Sequence, residues 1–279
     1  MFYIVSLTAK KQWSQPKMIT PDNYREYPAL NMSLLKSVYK TKSLAHARAK
    51  PRVSSEALQF GTHFHTAILE PHKFKPIVRD WDLRSKAGKE KQEEAEATGR
   101  PILKQQDLDA MYAMRDSAME IKPIPEILGS LDRATEKPLL YREPFYGEQC
   151  KSQIDLWGKD ENGEGWLIDL KTTQDIIKFD RQIWDLAYDI QMAGYAMALS
   201  LNGYPVDHVA ILAVEKAEPY GAQLVIMDGD ALEIGQKRLK HALEIYRTLI
   251  ESGQQSVAPV VRAFVPPWIM NNYLETEDF

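Results

Sequence analysis

The sequence predicts an α/β fold, a central mixed β-sheet flanked by helices, with a helical N-terminal part. Three observations predict it. Segments of helical composition fill the chain up to about residue 120. Three short apolar or alternating runs separated by turn residues follow, "LLYREPFYG", "CKSQIDLWG" and "GWLIDLKTT". A long helical stretch, two further strand-like runs and a final amphipathic helix then close the pattern. Helices first and strands around a helix afterwards are the order expected of a sheet covered by helices.

The elements follow in chain order. "MFYIVSLTAKK" reads as a first strand; its positive charges follow the apolar run, the reverse of a secretory leader. "MSLLKSVYKTKSLAHARAK" has helical composition and many basic residues. "SSEALQFGTHFHTAILEP" reads as a helix opened by a capping serine and stopped at Pro71. "RSKAGKEKQEEAEATGRP" is nearly devoid of apolar residues, so it is an exposed helix or an excursion, closed by Gly99 and Pro101. "QQDLDAMYAMRDSAMEI" returns to helical periodicity. The three runs after it read as a meander, with "DENGEG" turning the second into the third. "FDRQIWDLAYDIQMAGYAMALSLNG" reads as one long helix ending at Asn202 and Gly203. "DHVAILAVEK" and "AQLVIMD" read as two more strands, "DALEIGQKRLKHALEIYRTLIESG" as an amphipathic helix, and "RAFVPPWIMNNYLE" as an irregular tail.

Composition narrows the function. With 279 residues, 44% hydrophobic and 27% charged, the chain suits a soluble globular protein, read as one domain over 1–279 with a basic segment at 1–52 and the main body at 53–279. No apolar run approaches the roughly 20 residues of a membrane helix, so no membrane partner is expected. A lone cysteine, Cys150, excludes a disulfide framework and a four-cysteine zinc or iron–sulfur site within the chain, and fits a reducing cytoplasm. The net charge is −4, but residues 1–52 carry ten Lys and Arg against Asp22 and Glu26, leaving −12 for the rest. That asymmetry allows a polyanion to bind in one place, while a solvated basic face would look the same.

The chemistry concentrates in "KSQID" and "LIDLK". Strand side chains alternate, so Asp169 and Lys171 point to the same side. If the strand of Asp155 pairs with theirs as a hairpin neighbour, two carboxylates and an amine meet within a few ångströms. Carboxylate oxygens suit hard cations such as Mg²⁺ or Mn²⁺. Such a cation offsets charge on a scissile phosphate and acidifies bound water. A lysine beside it can orient that water, though base function needs its pKa lowered from about 10.4. A strand-end salt bridge is the plainer alternative. Trp184, Tyr188, Gln191 and Tyr195 fall on one helical stripe that carries an amide and two phenols, polar handles for phosphate or sugar, unless the stripe is simply a packing face. In "GTHFH", Gly61 stands one turn before His65 and leaves space beside a neutral imidazole that could ligate a cation. Thr172 and Thr173 either bond the backbone beyond the strand or face the ligand.

Together these pieces resemble the PD-(D/E)XK nuclease superfamily, and within it the RecB-type branch and the RecE (exonuclease VIII) family of phage-derived DNA exonucleases. "GTHFH", "KSQIDLW", "LIDLKTT" and "QMAGY" are similar to that family's Gly-X-X-X-His helix, first-aspartate strand, Asp-X-Lys strand and Gln-X-X-X-Tyr helix, in the same order. "MSLLKSVYKTKSLAHARA", "LRSKAGKEKQEEAEATGRPIL" and "VPPWIM" extend the resemblance over about residues 30 to 270. The proline of the superfamily's name is replaced by Ile154.

The resemblance implies a restriction-endonuclease-like core, with residues 53–279 as its catalytic part. It implies Asp155, Asp169, the Leu170 carbonyl and His65 as metal ligands, and Lys171 as the group that positions and activates water. Gln191 and Tyr195 would steady Lys171 or the DNA backbone. Ser33, Arg84, Lys86 and Lys89 would touch phosphates. The implied activity is Mg²⁺-dependent digestion of linear double-stranded DNA from 5′ to 3′, leaving 3′ single-stranded tails for recombination. Mn²⁺ could substitute, a RecT-like annealing protein would be the partner, and the enzyme would be a ring-shaped homo-oligomer. The same core could instead serve an endonuclease, a single-strand nuclease or a DNA-binding protein without catalysis. No P-loop pattern is present, so ATP is not expected.

Overall fold

The structure, a computed structural model, describes residues 18–49, 56–255 and 265. The run at 1–11 read as a first strand, the capping serine before residue 56 and all but one residue of the tail lie outside that range. The sheet is built on three sequential antiparallel strands, β4 (Arg133–Arg142), β5 (Gln149–Lys159) and β6 (Gly165–Thr173). They form because β5, β6 and the second half of β4 are rich in apolar residues and the turns are chemically set. In the β5–β6 turn, Asp160 Oδ1 accepts the backbone N–H groups of Asn162 and Glu164, and Gly163 takes φ 80°. In the β4–β5 turn, the buried Glu143 carboxylate accepts from the N–H groups of Phe145, Tyr146 and Glu148. β4 begins at Arg133, six residues before the run that announces it in the sequence.

β6 continues in parallel to β7 (His208–Glu215), which pairs antiparallel with β8 (Ala222–Ile226). A parallel step needs a crossover, and helices α7 (Phe179–Asp185) and α8 (Tyr188–Leu201) supply it. The sequence reads these two as one helix. The structure breaks it at Ala187, whose φ of 53° lies in the left-handed region, so Trp184 belongs to α7 and leaves the stripe of Tyr188, Gln191 and Tyr195.

Earlier in the chain come β1 (Leu30–Asn31), α1 (Met32–Thr41), α2 (Leu44–Arg48), α3 (Glu56–Leu69), β2 (Ile77–Val78), α4 (Lys86–Ala97), β3 (Ile102–Leu103), α5 (Gln105–Met119) and α6 (Ile124–Gly129). The final helix is α9 (Gly229–Ser252), capped by Asp228, whose carboxylate accepts from Ala231 N, and ended by Gly253 at φ 68°. Each face of the sheet buries its own core. Leu167, Val209, Ile211 and Ala213 pack with residues of α1, α7, α8 and α9. Trp166, Ile168, Leu170, Ala210, Leu212 and Val214 pack with α3, α5 and α6. That period-two division is what near-continuous apolar strands buried on both faces produce. Among the described residues, no helix is long and apolar enough to cross a membrane.

Candidate active site

The site lies where the sheet opens. The β5–β6 ladder runs from Lys159↔Gly165 to Leu156↔Ile168 and stops there. The next register position places Asp155 opposite Asp169. The Leu170 N–H is bonded by the Asp155 carboxylate, at 2.9 Å to Oδ2. β4 covers the other edge of β5, yet its ladder skips one position, between Thr135↔Leu156 and Lys137↔Ile154, where Glu136 faces Asp155. Glu136 stands at φ 48°, a strained value for a residue with a side chain. The irregularity shows in the packing: Ile154 enters one core and Leu156, two residues on, the other. Glu136, Asp155 and Asp169 thus form a row of carboxylates across three adjacent strands.

Both helix layers reach this gap. From α3, His65 places Nδ1 3.6 Å from Asp155 Oδ2. His65, Glu136 and Asp155 each offer a ligand atom within 4.8 Å of the others. From α8, Gln191 Nε2 donates to Asp169 Oδ1 at 2.9 Å, and Tyr195 stands one turn further on, against Gln191. Lys171 Nζ lies 2.5 Å from Asp169 Oδ2 and 5.2 Å from the centre of the Tyr188 ring. From α1, Lys36 Nζ donates to Gln191 Oε1 at 2.5 Å.

Burial controls the protonation of these groups. It raises the Asp155 carboxyl well above the usual range, and the nearby Asp169 charge adds to the effect. It raises Glu136 too, helped by Glu70 and Asp169. His65 is driven down to about 4, by burial first and the Lys171 ammonium second, so its ring is neutral at physiological pH and free to ligate. Burial by itself would lower Lys171; Asp169 and Asp155 outweigh it and hold the ammonium above its ordinary pKa. Without a cation, Lys171 is therefore a proton donor.

The donor set fits a hard divalent cation. Asp169 is buried with both oxygens engaged, Oδ1 by the Gln191 amide and Oδ2 by the Lys171 ammonium at 2.5 Å, so its charge is held in place for a cation to share. Three carboxylates and one neutral imidazole, with one lysine among them, suit Mg²⁺ or Mn²⁺.

The remaining sequence candidates separate. The Leu170 side chain is buried in the α3-side core, and its backbone lies beside His65. Ser33 is exposed on α1, one turn before Lys36. Arg84, Lys86 and Lys89 are exposed at the start of α4, whose cap is a hydrogen bond from Gly88 N to Ser85 Oγ. Among the described residues, no hydrogen bond or ion pair joins α4 to the carboxylate row. The threonines differ: Thr172 Oγ1 faces Gly61 on α3, where an added Cβ would lie at an ordinary 3.5 Å, so the chain there does not require glycine. Thr173 Oγ1 accepts from Asp175 N and Gln182 Nε2 and turns the chain into α7. Two residues at the site escape the sequence reading, Glu136 and Lys36. Glu136 was findable by extending the β4–β5 hairpin back to the position opposite Asp155.

A split sheet with this acidic row and lysine, covered by helices on both faces, defines a PD-(D/E)XK-type, restriction-endonuclease-like fold. The chain belongs to the family described as PDDEXK-like domain of unknown function (DUF3799), whose model matches residues 31–259. Among solved structures it is similar to a "putative exonuclease" from Eubacterium rectale, with a TM-score of 0.58 and 14% identity over 94% of this chain and 98% of that one. It is more distantly similar to the protein SSO0001, at a TM-score of 0.31 and 13% identity over 66% of this chain and 85% of the other. No curated protein matches it. The family and the fold make the protein a nuclease-like member of the superfamily.

Proposed function

We propose that the protein is a Mg²⁺-dependent DNA exonuclease. It would hydrolyse linear double-stranded DNA from 5′ to 3′ and leave 3′ single-stranded tails for recombination, as RecE-type enzymes do. The observation that carries this reading is the row of Glu136, Asp155 and Asp169 at the split between β5 and β6, with Lys171 2.5 Å from Asp169 Oδ2. The description of the Eubacterium rectale protein as an exonuclease supports the choice of reaction.

Asp155, Asp169 and the Leu170 carbonyl would hold one cation, with His65 and Glu136 on the α3 side of the same site. Bound there, Mg²⁺, or Mn²⁺ in its place, supplies Lewis-acid neutralisation of phosphate charge and a more acidic water. The rest falls to the chain itself. Lys171 hydrogen-bonds the attacking water and aims it at phosphorus. It starts as an ammonium, because the two aspartates stabilise its charge. Any contact that draws on those carboxylates lowers its pKa; once the ammonium has given a proton to solvent, the neutral amine can take the proton of the attacking water. Gln191 keeps Asp169 Oδ1 occupied and leaves Oδ2 beside Lys171. Tyr188 lies beside the Lys171 ammonium and limits its wandering. Ser33, Arg84, Lys86 and Lys89 are the proposed phosphate contacts. A homo-oligomeric ring and a RecT-like annealing partner complete the proposal.

The test uses end-labelled linear duplex and covalently closed circles, each with and without Mg²⁺. Metal-dependent loss of linear DNA alone, with the label at the 5′ end released first, is the expected result. Cleavage of closed circles would make the enzyme an endonuclease. Binding without cleavage under Mg²⁺ or Mn²⁺ would make it a binding protein.

A further inference from the structure

We propose that Lys36 is a positioning residue for Asp169, acting through the amide of Gln191. The inference rests on the reading of Asp169 as a metal-binding carboxylate. Lys36 lies on α1, outside the four motifs on β5, β6, α3 and α8 that supply the site residues named from the sequence. Its Nζ is 2.5 Å from Gln191 Oε1, and Gln191 Nε2 is 2.9 Å from Asp169 Oδ1.

The geometry admits one arrangement. An ammonium only donates, and a carboxylate only accepts. Gln191 must therefore turn its oxygen to Lys36 and its NH₂ to Asp169. The flipped amide would set NH₂ against the ammonium and oxygen against the carboxylate, two repulsive contacts in a buried place. Gln191 is 7% exposed and Asp169 1%, so water does not soften that choice. Lys36 thus commits Asp169 Oδ1 to Gln191 and leaves Oδ2, beside the Lys171 ammonium, as the oxygen that a cation would take. Tyr188 holds the arrangement in place, with Lys36 Nζ 4.9 Å and Lys171 Nζ 5.2 Å from its ring centre. Among the described residues, Lys36 has no ion pair, so the amide is its polar anchor.

A solvated lysine on a basic helix would behave differently. With Lys36 gone, Gln191 Oε1 loses its donor and the amide is held only by Asp169 and Tyr195, which no longer fix which end faces the carboxylate as firmly. Residues that orient a metal ligand from behind typically contribute about 10–100-fold to metal affinity.

The experiment is a double-mutant cycle on the full chain with Lys36→Met and Gln191→Ala, read by calorimetric titration of Mg²⁺ and of Mn²⁺ into protein without DNA. Lys36→Met is expected to weaken metal binding by about 10-fold. In the Gln191→Ala background it should add nothing further, and Lys36→Arg should restore most of the affinity. The metal concentration for half-maximal DNA cleavage should rise with the dissociation constant, while KM for DNA stays put. Additive effects of the two substitutions would overturn the proposal, because Lys36 would then act without Gln191. So would unchanged metal affinity with a raised KM for DNA, since Lys36 would then touch the substrate. Should Lys36→Met fail to give a folded circular-dichroism spectrum, Lys36→Gln enters the same cycle. Absence of nuclease activity in the wild type would remove the proposed function, and the calorimetric cycle would still decide the role of Lys36.

Discussion

Glu136→Gln separates a metal-binding carboxylate from a structural one. Ligand atoms of Glu136, Asp155 and His65 lie within 4.8 Å of one another. Two like charges 4.8 Å apart repel by about 3.5 kcal/mol at an effective dielectric near 20. Glu136 is half-buried and solvent screens part of this repulsion, so the recoverable share is smaller, about 1–2 kcal/mol. Glutamine keeps the shape and keeps an oxygen for the hydrogen bond from Gln153 Nε2. The metal-free variant should therefore be more stable than the wild type, with Tm raised by about 2–6 °C. Its affinity for Mg²⁺ should fall by at least about 10-fold. The assays are thermal unfolding in EDTA and calorimetric titration of Mg²⁺. A lower Tm in EDTA with unchanged Mg²⁺ affinity would refute the reasoning and leave Glu136 as a partner of Gln153 and nothing more.

Other outcomes follow from the same structure. In metal-free protein the His65 ring should stay neutral down to about pH 4, read by NMR titration, and a midpoint near the ordinary 6.5 would contradict its buried placement. Gly165→Ala would bring a Cβ to 2.2 Å from the Pro205 carbonyl oxygen, where only backbone could yield. A loss of about 1–3 kcal/mol is expected in denaturant unfolding, and wild-type stability would contradict the close approach. Lys151 is 2% exposed and donates to the carbonyls of Tyr24, Arg25 and Tyr27, at 2.5, 3.2 and 2.7 Å. Lys151→Met should speed hydrogen exchange across residues 20–29 while sparing β7, and an unchanged pattern would show that this ammonium does not tether the segment.

The strands that carry the two aspartates are the parts of the fold a sequence states most clearly. Alternation in "KSQIDLWG" and "GWLIDLKTT", with a turn between them, is enough to pair β5 with β6 and bring Asp155 next to Asp169. Glu136 escapes because the first half of β4 reads "RATEKP", polar and interrupted by Pro138, without the alternation that marks a strand. Only the hairpin register reveals it. The break before α8 is equally silent: alanine is a good helix former, and the left-handed turn at Ala187 is imposed by packing, where this residue is fully buried. Lys36 looks like one of several basic residues on a solvated helix. Its contact with Gln191 spans 155 positions and depends on how α1 lies on α8, which local pattern does not encode. The basic stretch at Arg84–Lys89 reads as suited to phosphate by composition; it lies exposed at the start of α4, and among the described residues no hydrogen bond or ion pair joins it to the carboxylate row.

The central claim is that the acidic row and Lys171 form one hydrolytic centre. Lys171→Met removes the ammonium 2.5 Å from Asp169 while leaving all three carboxylates in place. Cleavage of end-labelled linear duplex and binding of the same duplex should be measured together in Mg²⁺ for wild type and variant. The account predicts metal-dependent cleavage by the wild type, loss of at least about 100-fold in the variant, and DNA affinity that changes little. A variant that cleaves at the wild-type rate would contradict it.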